Sequence, residues 1–194
     1  MPKLGMEPIR KAALVNATIA EIGRAGSLDV TVSQIAKRAG MSSALAHHYF
    51  GSKEEMFLAA MRHVLSLYGA EVRGALCAAQ GPEARLIAIL RASFSAANFR
   101  RETIGAWLNF YVLAQTVPQA RRLLAVYQRR LRSNLLVCLR PLSQSRADAV
   151  ADGLGALIDG VYLREALKNT APDGAAAVAM VLAYLAAELK GQDQ

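Results

Sequence analysis

Apolar residues recur at intervals of three and four along most of the chain. Between residues 9 and 25 they stand at Ala12, Val15, Ile19 and Ile22, which is the spacing of one helix face. The same spacing predicts further helices at about 32–39, 42–49, 53–79, 82–97, 102–115, 118–140, 145–168 and 173–190. The alternation typical of strands does not occur in the sequence. We therefore predict an all-α protein of about nine helices.

Local signals support several of these helix ends. Thr31 and Gln34 have the spacing of a capping box, in which each side chain bonds the other residue's amide. Ser145 and Asp148 have a similar spacing, and Asp173 stands where it can cap the last helix.

The length and composition of the predicted helices change near residue 63. Three short helices with tight turns precede this point, and longer helices rich in Ala, Leu and Val follow it. We predict an N-terminal domain over 1–62 and a second domain over 63–194, with the boundary inside the long fourth helix.

Residues 31–50 predict a helix, a glycine turn and a second helix. Gly40 allows the left-handed backbone that ends the first helix, and the second helix is then presented outward. The segment from Val30 to Lys53 contains no carboxylate. This pattern favours a helix-turn-helix that enters the major groove of DNA over a helical hairpin that only packs.

The candidate DNA contacts divide into base-reading and phosphate-binding groups. The base-reading candidates are Ser43, Ala44 and His47, with His48 as an additional candidate, and His47 is expected to donate to a purine acceptor. Hydroxyl groups and lysines suit phosphate. The candidates for phosphate contact are Thr31, Ser33, Lys37, Ser42, Tyr49 and Lys53.

Charge and cysteine content narrow the function classes. The chain has 23 Lys and Arg against 15 Asp and Glu, and this net charge of +8 suits nucleic acid or an anionic membrane. Two distant cysteines and isolated histidines indicate neither a disulfide framework nor a metal site. Neither a cofactor motif nor a catalytic constellation is recognisable, since Gly153 and Gly155 form only a lone G-x-G. We expect a cytoplasmic, non-enzymatic protein without a membrane partner.

The helix-turn-helix region resembles the DNA-binding domain of TetR-type transcriptional regulators. The resemblance rests on Ile35-Ala36, Ala39-Gly40, Ser42 and the Tyr49-Phe50 pair followed by Lys53. It implies a repressor that binds duplex operator DNA as a homodimer, with a small-molecule effector site in the C-terminal half.

A finer resemblance, to the choline-responsive members of that family that repress glycine betaine synthesis genes, extends over most of the chain. It rests on residues 1–6, 9–10, 34–40, 48–50, 106–108, 133–135 and 156–160. The chain departs from those members at Ala44, His47 and Tyr162, where they usually carry Gly, Ser and Trp. The first two departures lie in the second helix of the helix-turn-helix and bear on which operator sequence is recognised. The third bears on which effector is bound. A different small hydrophobic or cationic effector remains the alternative.

A quaternary ammonium effector needs aromatic faces, often beside a carboxylate. The helical spacing groups Trp107, Phe110 and Tyr111 on one helix and Asp159 and Tyr162 on another. These five are the candidate effector residues. The aromatic residues would otherwise be ordinary core, and Asp159 would otherwise lie at a dimer face or pair with an arginine.

Two further features, a face of small residues and a group of arginines, are predicted on the surface of the C-terminal half. A face of small residues at Ala149, Gly153, Ala156 and Gly160 predicts close approach of a helix, from a second subunit or from within the monomer. The arginines between 121 and 140 form a solvated helix face or, alternatively, a second DNA contact.

Overall fold

The computed structural model describes residues 5–143 and 145–190, and this part of the chain contains nine α-helices and no strand. The helices are α1 (Met6–Ala25), α2 (Val32–Arg38), α3 (Ser43–Phe50), α4 (Lys53–Ala78), α5 (Pro82–Ser93), α6 (Arg101–Thr116), α7 (Pro118–Leu139), α8 (Ala147–Ala166) and α9 (Gly174–Lys190). The prediction of an all-α fold is confirmed. Within the described ranges, no helix combines the length and apolar character needed to cross a membrane.

The helix ends follow the predicted local chemistry in most places. The Gln34 amide donates to Thr31 Oγ1 at 3.1 Å, and the Thr31 amide donates to Gln34 Oε1 at 2.7 Å, which completes the capping box. Ser42 Oγ accepts from the Leu45 amide at 3.2 Å. The carboxylate of Asp173 caps α9.

Two predicted details are wrong because tertiary contacts prevail over local signals. Ser145 does not cap α8, which begins two residues later without a side-chain cap. The Asp148 carboxylate instead accepts a hydrogen bond from Arg132 of α7 at 2.5 Å. α5 ends at Ser93, earlier than predicted, and the Tyr162 hydroxyl donates to the Ser93 carbonyl at 2.6 Å.

Buried side chains form two hydrophobic cores. The N-terminal core joins α1, α2, α3 and the start of α4 around Leu14, Ile35 and Ala46. The C-terminal core joins α1 with α4 to α9 and is much larger. Phe50 and Leu113 pack against both cores. Helices α1 and α4 therefore connect the two halves, and the boundary that we predict between residues 62 and 63 falls in the middle of α4.

The most extensive helix contact is between α1 and α6. Gly23 of α1 and Gly105 of α6 meet at the crossing point, where a Cβ atom added to Gly23 would lie 2.4 Å from the Glu102 Cα. Any larger residue at Gly23 would force the two helices apart, so this crossing fixes how the helix-turn-helix half sits on the C-terminal half.

Candidate functional site

The helix-turn-helix is built by a short turn and a small buried contact. Gly40 has a φ of +68°, in the left-handed region, and the Met41 amide donates to the Ala36 carbonyl at 2.9 Å. Ala46 of α3 is completely buried in the N-terminal core. One face of α3 is thus held against α2 and α4, while its other face is free.

The predicted DNA-contacting residues all lie on accessible surface. Ser43 and Tyr49 are half-buried. The remaining eight are exposed, namely Thr31, Ser33, Lys37, Ser42, Ala44, His47, His48 and Lys53. These ten residues lie on α2, on α3, in the caps before these helices and at the first residue of α4.

Three of these side chains also have structural partners. The Thr31 hydroxyl belongs to the capping box, and Lys53 Nζ donates to the Leu28 carbonyl at 3.1 Å. His47 Nδ1 lies 3.0 Å from the Gly51 carbonyl oxygen. Because a carbonyl only accepts, Nδ1 carries the proton, and in the neutral ring Nε2 is an acceptor. Donation from His47 to a purine acceptor stays a prediction.

The carboxylate of Glu21, on α1, is neutralised by ion pairs. Glu21 is buried and pairs with Arg24 at 2.8 Å and with Arg38 of α2 at 2.9 Å. The hydrogen bond from Arg24 lowers the pKa of Glu21 despite its burial, and Arg38 adds to this effect. Arg38 is thereby tied to α1.

A second site lies inside the C-terminal core, in a cavity hereafter called the aromatic cavity. Five helices and the α5–α6 connection contribute to its wall. It is lined by Tyr68, Ser93, Asn98, Trp107, Tyr111, Tyr127, Ile158, Asp159 and Tyr162. Four of the five predicted effector residues are in this set. Phe110 is the exception, because its ring packs within the core and does not line the cavity.

The aromatic rings of the cavity contact one another. The ring centroids of Trp107 and Tyr127 are 4.8 Å apart, those of Trp107 and Tyr111 are 5.9 Å apart, and those of Trp107 and Tyr162 are 6.3 Å apart. Tyr68 and Tyr127 pack edge to face at 5.8 Å. Sequence reasoning missed Tyr68 and Tyr127, which are on α4 and α7, because their approach to α6 is a tertiary contact.

Asp159 is the one carboxylate on the wall of this cavity. The Tyr111 hydroxyl donates to Asp159 Oδ1 at 2.8 Å. Burial raises the pKa of Asp159, and the Tyr111 hydrogen bond opposes that shift. In the described residues its carboxylate has no ion-pair partner, neither Arg164 nor another arginine. The cavity therefore combines aromatic faces with one uncompensated negative charge.

The aromatic cavity is small, at about 10 Å³, roughly the room for one water molecule. Aromatic and carboxylate groups are the chemistry that holds an organic cation. Among the described residues, no group of His, Cys, Asp and Glu has the composition and closeness of a metal site.

An exposed apolar surface covers one side of α8 and α9, hereafter called the α8–α9 face. Ala149 and Ala156 are exposed, and Gly153 and Gly160 are half-buried. Further exposed apolar residues on or next to these helices are Leu163, Leu167, Ala176, Ala179, Met180, Ala183 and Ala187. At Gly153 the small-residue face packs within the monomer, because a Cβ atom added there would clash with the Tyr184 side chain of α9. Ala149, Ala156 and Gly160 are left open for a partner helix.

The arginines of α7 have several separate roles. Arg121 donates to the carbonyls of Ala114 and Gln115 at the end of α6, and Arg132 pairs with Asp148 and Asp152. Arg130 lines a groove between α4 and α7. The cluster is therefore not one uniform surface.

Both halves of the chain match models of known protein families. The family model described as "Bacterial regulatory proteins, tetR family" matches residues 14–60, and the model described as "BetI-type transcriptional repressor, C-terminal" matches residues 82–190. The chain is 53% identical to the HTH-type transcriptional regulator BetI of Brucella suis, over 99% of this chain and 98% of that protein.

Two solved structures illustrate the similarity of fold. A candidate transcriptional regulator from Pseudomonas aeruginosa superposes with a TM-score of 0.80 at 28% identity, covering 97% of this chain and 94% of that one. A candidate regulator from Saccharomonospora viridis, crystallised in complex with choline, superposes with a TM-score of 0.79 at 20% identity, covering 91% of this chain and 95% of that one.

Proposed function

This chain belongs to the TetR family of bacterial regulatory proteins, as a BetI-type transcriptional repressor rather than an enzyme, and we propose that it binds operator DNA as a homodimer whose DNA affinity changes when choline occupies the aromatic cavity. The observation that carries the choline response is the aromatic cavity with Asp159 on its wall. We assign the DNA contacts to the N-terminal domain, 1–62, and the effector and dimer contacts to 63–194. The target genes proposed are those of choline uptake and of choline conversion to glycine betaine.

We assign α3 to the major groove of operator DNA. Exposed Ala44 and His47 face the bases, with Ser43 and His48 beside them, because residues at the start of a recognition helix reach base edges. An alanine methyl group suits the thymine methyl, and His47 Nε2 suits a base amino group. The hydroxyl and lysine side chains around them bind phosphate and set the register.

The aromatic cavity suits choline because the trimethylammonium group has no hydrogen to donate. Such a cation is held by aromatic faces, each worth roughly 0.5–2 kcal/mol, and by opposite charge. Trp107, Tyr111 and Tyr162 supply the faces, and Asp159 supplies the charge. A regulator of the same fold has been crystallised in complex with choline, which supports choline as the effector to test.

A surface groove adjoins the aromatic cavity on the α7–α8 side. This open groove of about 290 Å³ is lined by Asp152 and Asp159 and shares Tyr127 and Asp159 with the aromatic cavity. Because Arg132 neutralises Asp152, Asp159 is the carboxylate of this groove that would attract a positive charge. Arg132, which pairs with Asp152 at 2.7 Å, stands at this groove.

Choline is larger than a cavity of about 10 Å³, so binding requires the surrounding helices to move apart. Tyr68 is on α4, the helix that starts at Lys53 beside the helix-turn-helix. Trp107 is on α6, where Gly105 touches Gly23 of α1. A shift of α4 and α6 thus reaches the DNA-binding domain, and coupling of this kind is typically 1–3 kcal/mol.

The α8–α9 face supports homodimerisation. Small residues on α8 allow a partner helix to approach closely, and two helices from each subunit would make a four-helix interface. A dimer places two recognition helices on successive major grooves, about 34–36 Å apart. Ala156→Arg is expected to produce monomers in light scattering, while Asp152→Asn, one turn away, stays dimeric. A dimeric Ala156→Arg protein would contradict this interface.

The experiment that tests the DNA assignment is selection of bound duplexes from a random pool, with stoichiometry measured on the selected duplex. We expect a palindromic site with two chains per duplex. His47→Ser should change the preferred base at one position of each half-site, whereas Ser33→Ala, at a phosphate-contact position, should leave the selected sequence unchanged. A protein that ignores duplex DNA at low salt would refute the proposal.

A further inference from the structure

An open groove runs along the surface between α4 and α7 and has a volume of about 730 Å³. From Arg62 to Leu76 its α4 wall covers fourteen residue steps, about 21 Å of helix. The apolar part of its lining consists of Leu65, Val72, Leu76, Leu123, Val126 and Leu131. Most of these side chains are only partly buried, so the groove presents apolar surface to solvent.

The charged side chains at this groove are all basic. They are Arg62 and Arg73 from α4 and Arg130 from α7, and no lining residue is acidic. Within the described chain, Arg73 and Arg130 make no ion pair, and Arg62 has only a long contact of 3.9 Å with Glu55. An apolar channel with unneutralised guanidinium groups matches a molecule that has an alkyl chain and an anionic head.

The groove and the aromatic cavity share two residues. Tyr68 and Tyr127 line both, with their ring centroids 5.8 Å apart, so these two rings form the wall between them. The two spaces have opposite charge preferences, since Asp159 stands on the cavity side and the arginines stand on the groove side. A cation such as choline is therefore not expected to occupy the groove.

We propose that the α4–α7 groove binds a free fatty-acid-like carboxylate, with its head on Arg73 and Arg130 and its alkyl chain against the leucine and valine side chains. This second effector class goes beyond the proposed choline response. The large apolar wall disfavours nucleic acid as the occupant, because phosphates need a polar surface along their whole length. Guanidinium groups bind carboxylates through two parallel hydrogen bonds, which gives the head a defined position.

An occupant of the groove contacts α4 and the Tyr68–Tyr127 wall together. Filling it therefore changes the same helix that leads to Lys53 and the helix-turn-helix. It also alters the shape of the aromatic cavity from outside. The carboxylate is thus expected to change choline affinity in addition to binding by itself, and by linkage choline changes carboxylate affinity by the same factor.

The test is calorimetric titration of the full-length protein with dodecanoate below its micellar concentration. Dodecanoate should bind, and dodecyltrimethylammonium, with the same tail and the opposite charge, should bind at least tenfold more weakly. The variant Arg73→Gln/Arg130→Gln should weaken dodecanoate binding about tenfold or more. The matched control Arg122→Gln/Arg129→Gln removes the same charge from exposed positions outside the groove and should bind as the unmodified protein does.

Choline titrations of the same preparations separate this inference from the proposed function. The groove variant should keep choline affinity within about twofold when dodecanoate is absent. Equal dodecanoate affinity in both double variants, or equal affinity for the cationic and anionic amphiphiles, would overturn the groove site. If the unmodified protein binds dodecanoate but not choline, the proposed function is contradicted and the groove site stands.

Discussion

Replacing Asp159 with asparagine is expected to weaken choline binding about a hundredfold while the protein stays folded. Asparagine has the size of aspartate, and its amide oxygen can still accept the Tyr111 hydrogen bond, which is 2.8 Å long in the native chain. The change therefore removes one charge and little else. Burial already disfavours the Asp159 carboxylate, as its raised pKa shows, so its removal should not destabilise the empty protein.

The magnitude follows from the position of the carboxylate on the cavity wall. Two opposite charges about 5 Å apart at an effective dielectric constant of about 20 attract by about 3 kcal/mol. Since each 1.4 kcal/mol is about a tenfold change in affinity, the loss is about a hundredfold. Asp152, which is 61% exposed and paired with Arg132, is the matched control, and Asp152→Asn should change choline affinity less than about twofold.

Isothermal titration calorimetry with two ligands tests whether the charge of Asp159 contributes to choline affinity. The second ligand is the uncharged isostere of choline, in which a tert-butyl group replaces the trimethylammonium group. The unmodified protein should prefer choline, and Asp159→Asn should bind the two ligands with similar affinity. If Asp159→Asn binds choline as tightly as the unmodified protein, or if Asp152→Asn weakens it equally, the electrostatic reasoning is refuted.

Three further predictions concern the helix crossing, the DNA contact and pH. Gly23→Ala should lower the free energy of unfolding by about 2 kcal/mol in denaturant titrations, because the new methyl group would lie 2.4 Å from the Glu102 Cα. Gly74→Ala, a helical position with open space, should instead raise it by about 0.5–1 kcal/mol, and equal effects would contradict the close crossing. Lys37→Ala should weaken binding to all duplexes and reduce the salt slope of log K by about 1, and a changed base preference would show that Lys37 reads sequence. Choline affinity should fall as the pH is lowered through the raised pKa of Asp159, because protonation removes the negative charge, and this decline should be absent in Asp159→Asn.

The helices and most of their ends could be predicted because their signals are local. The capping box of Thr31 and Gln34 and the left-handed Gly40 each depend on a few neighbouring residues. The predicted cap at Ser145 failed for the opposite reason. α8 begins at Ala147 rather than after Ser145, and the Asp148 carboxylate is paired with Arg132 on another helix, a contact that spacing along one chain segment does not report.

The candidate effector site could be predicted only one helix at a time. Spacing grouped Trp107 with Tyr111, and both line the cavity. It also grouped Phe110 with them, although that ring packs into the core. Tyr68 and Tyr127 had no sequence neighbours to mark them, since they reach the cavity only through the packing of α4 and α7 against α6.

Operator affinity with and without choline is the most direct measurement of whether a cation in the aromatic cavity changes DNA binding. Fluorescence anisotropy of a selected duplex should show choline shifting the dissociation constant by a factor of about 5 to 150, with a much smaller shift from the uncharged isostere. An operator affinity that stays the same at choline concentrations that saturate the protein in calorimetry would contradict the claim.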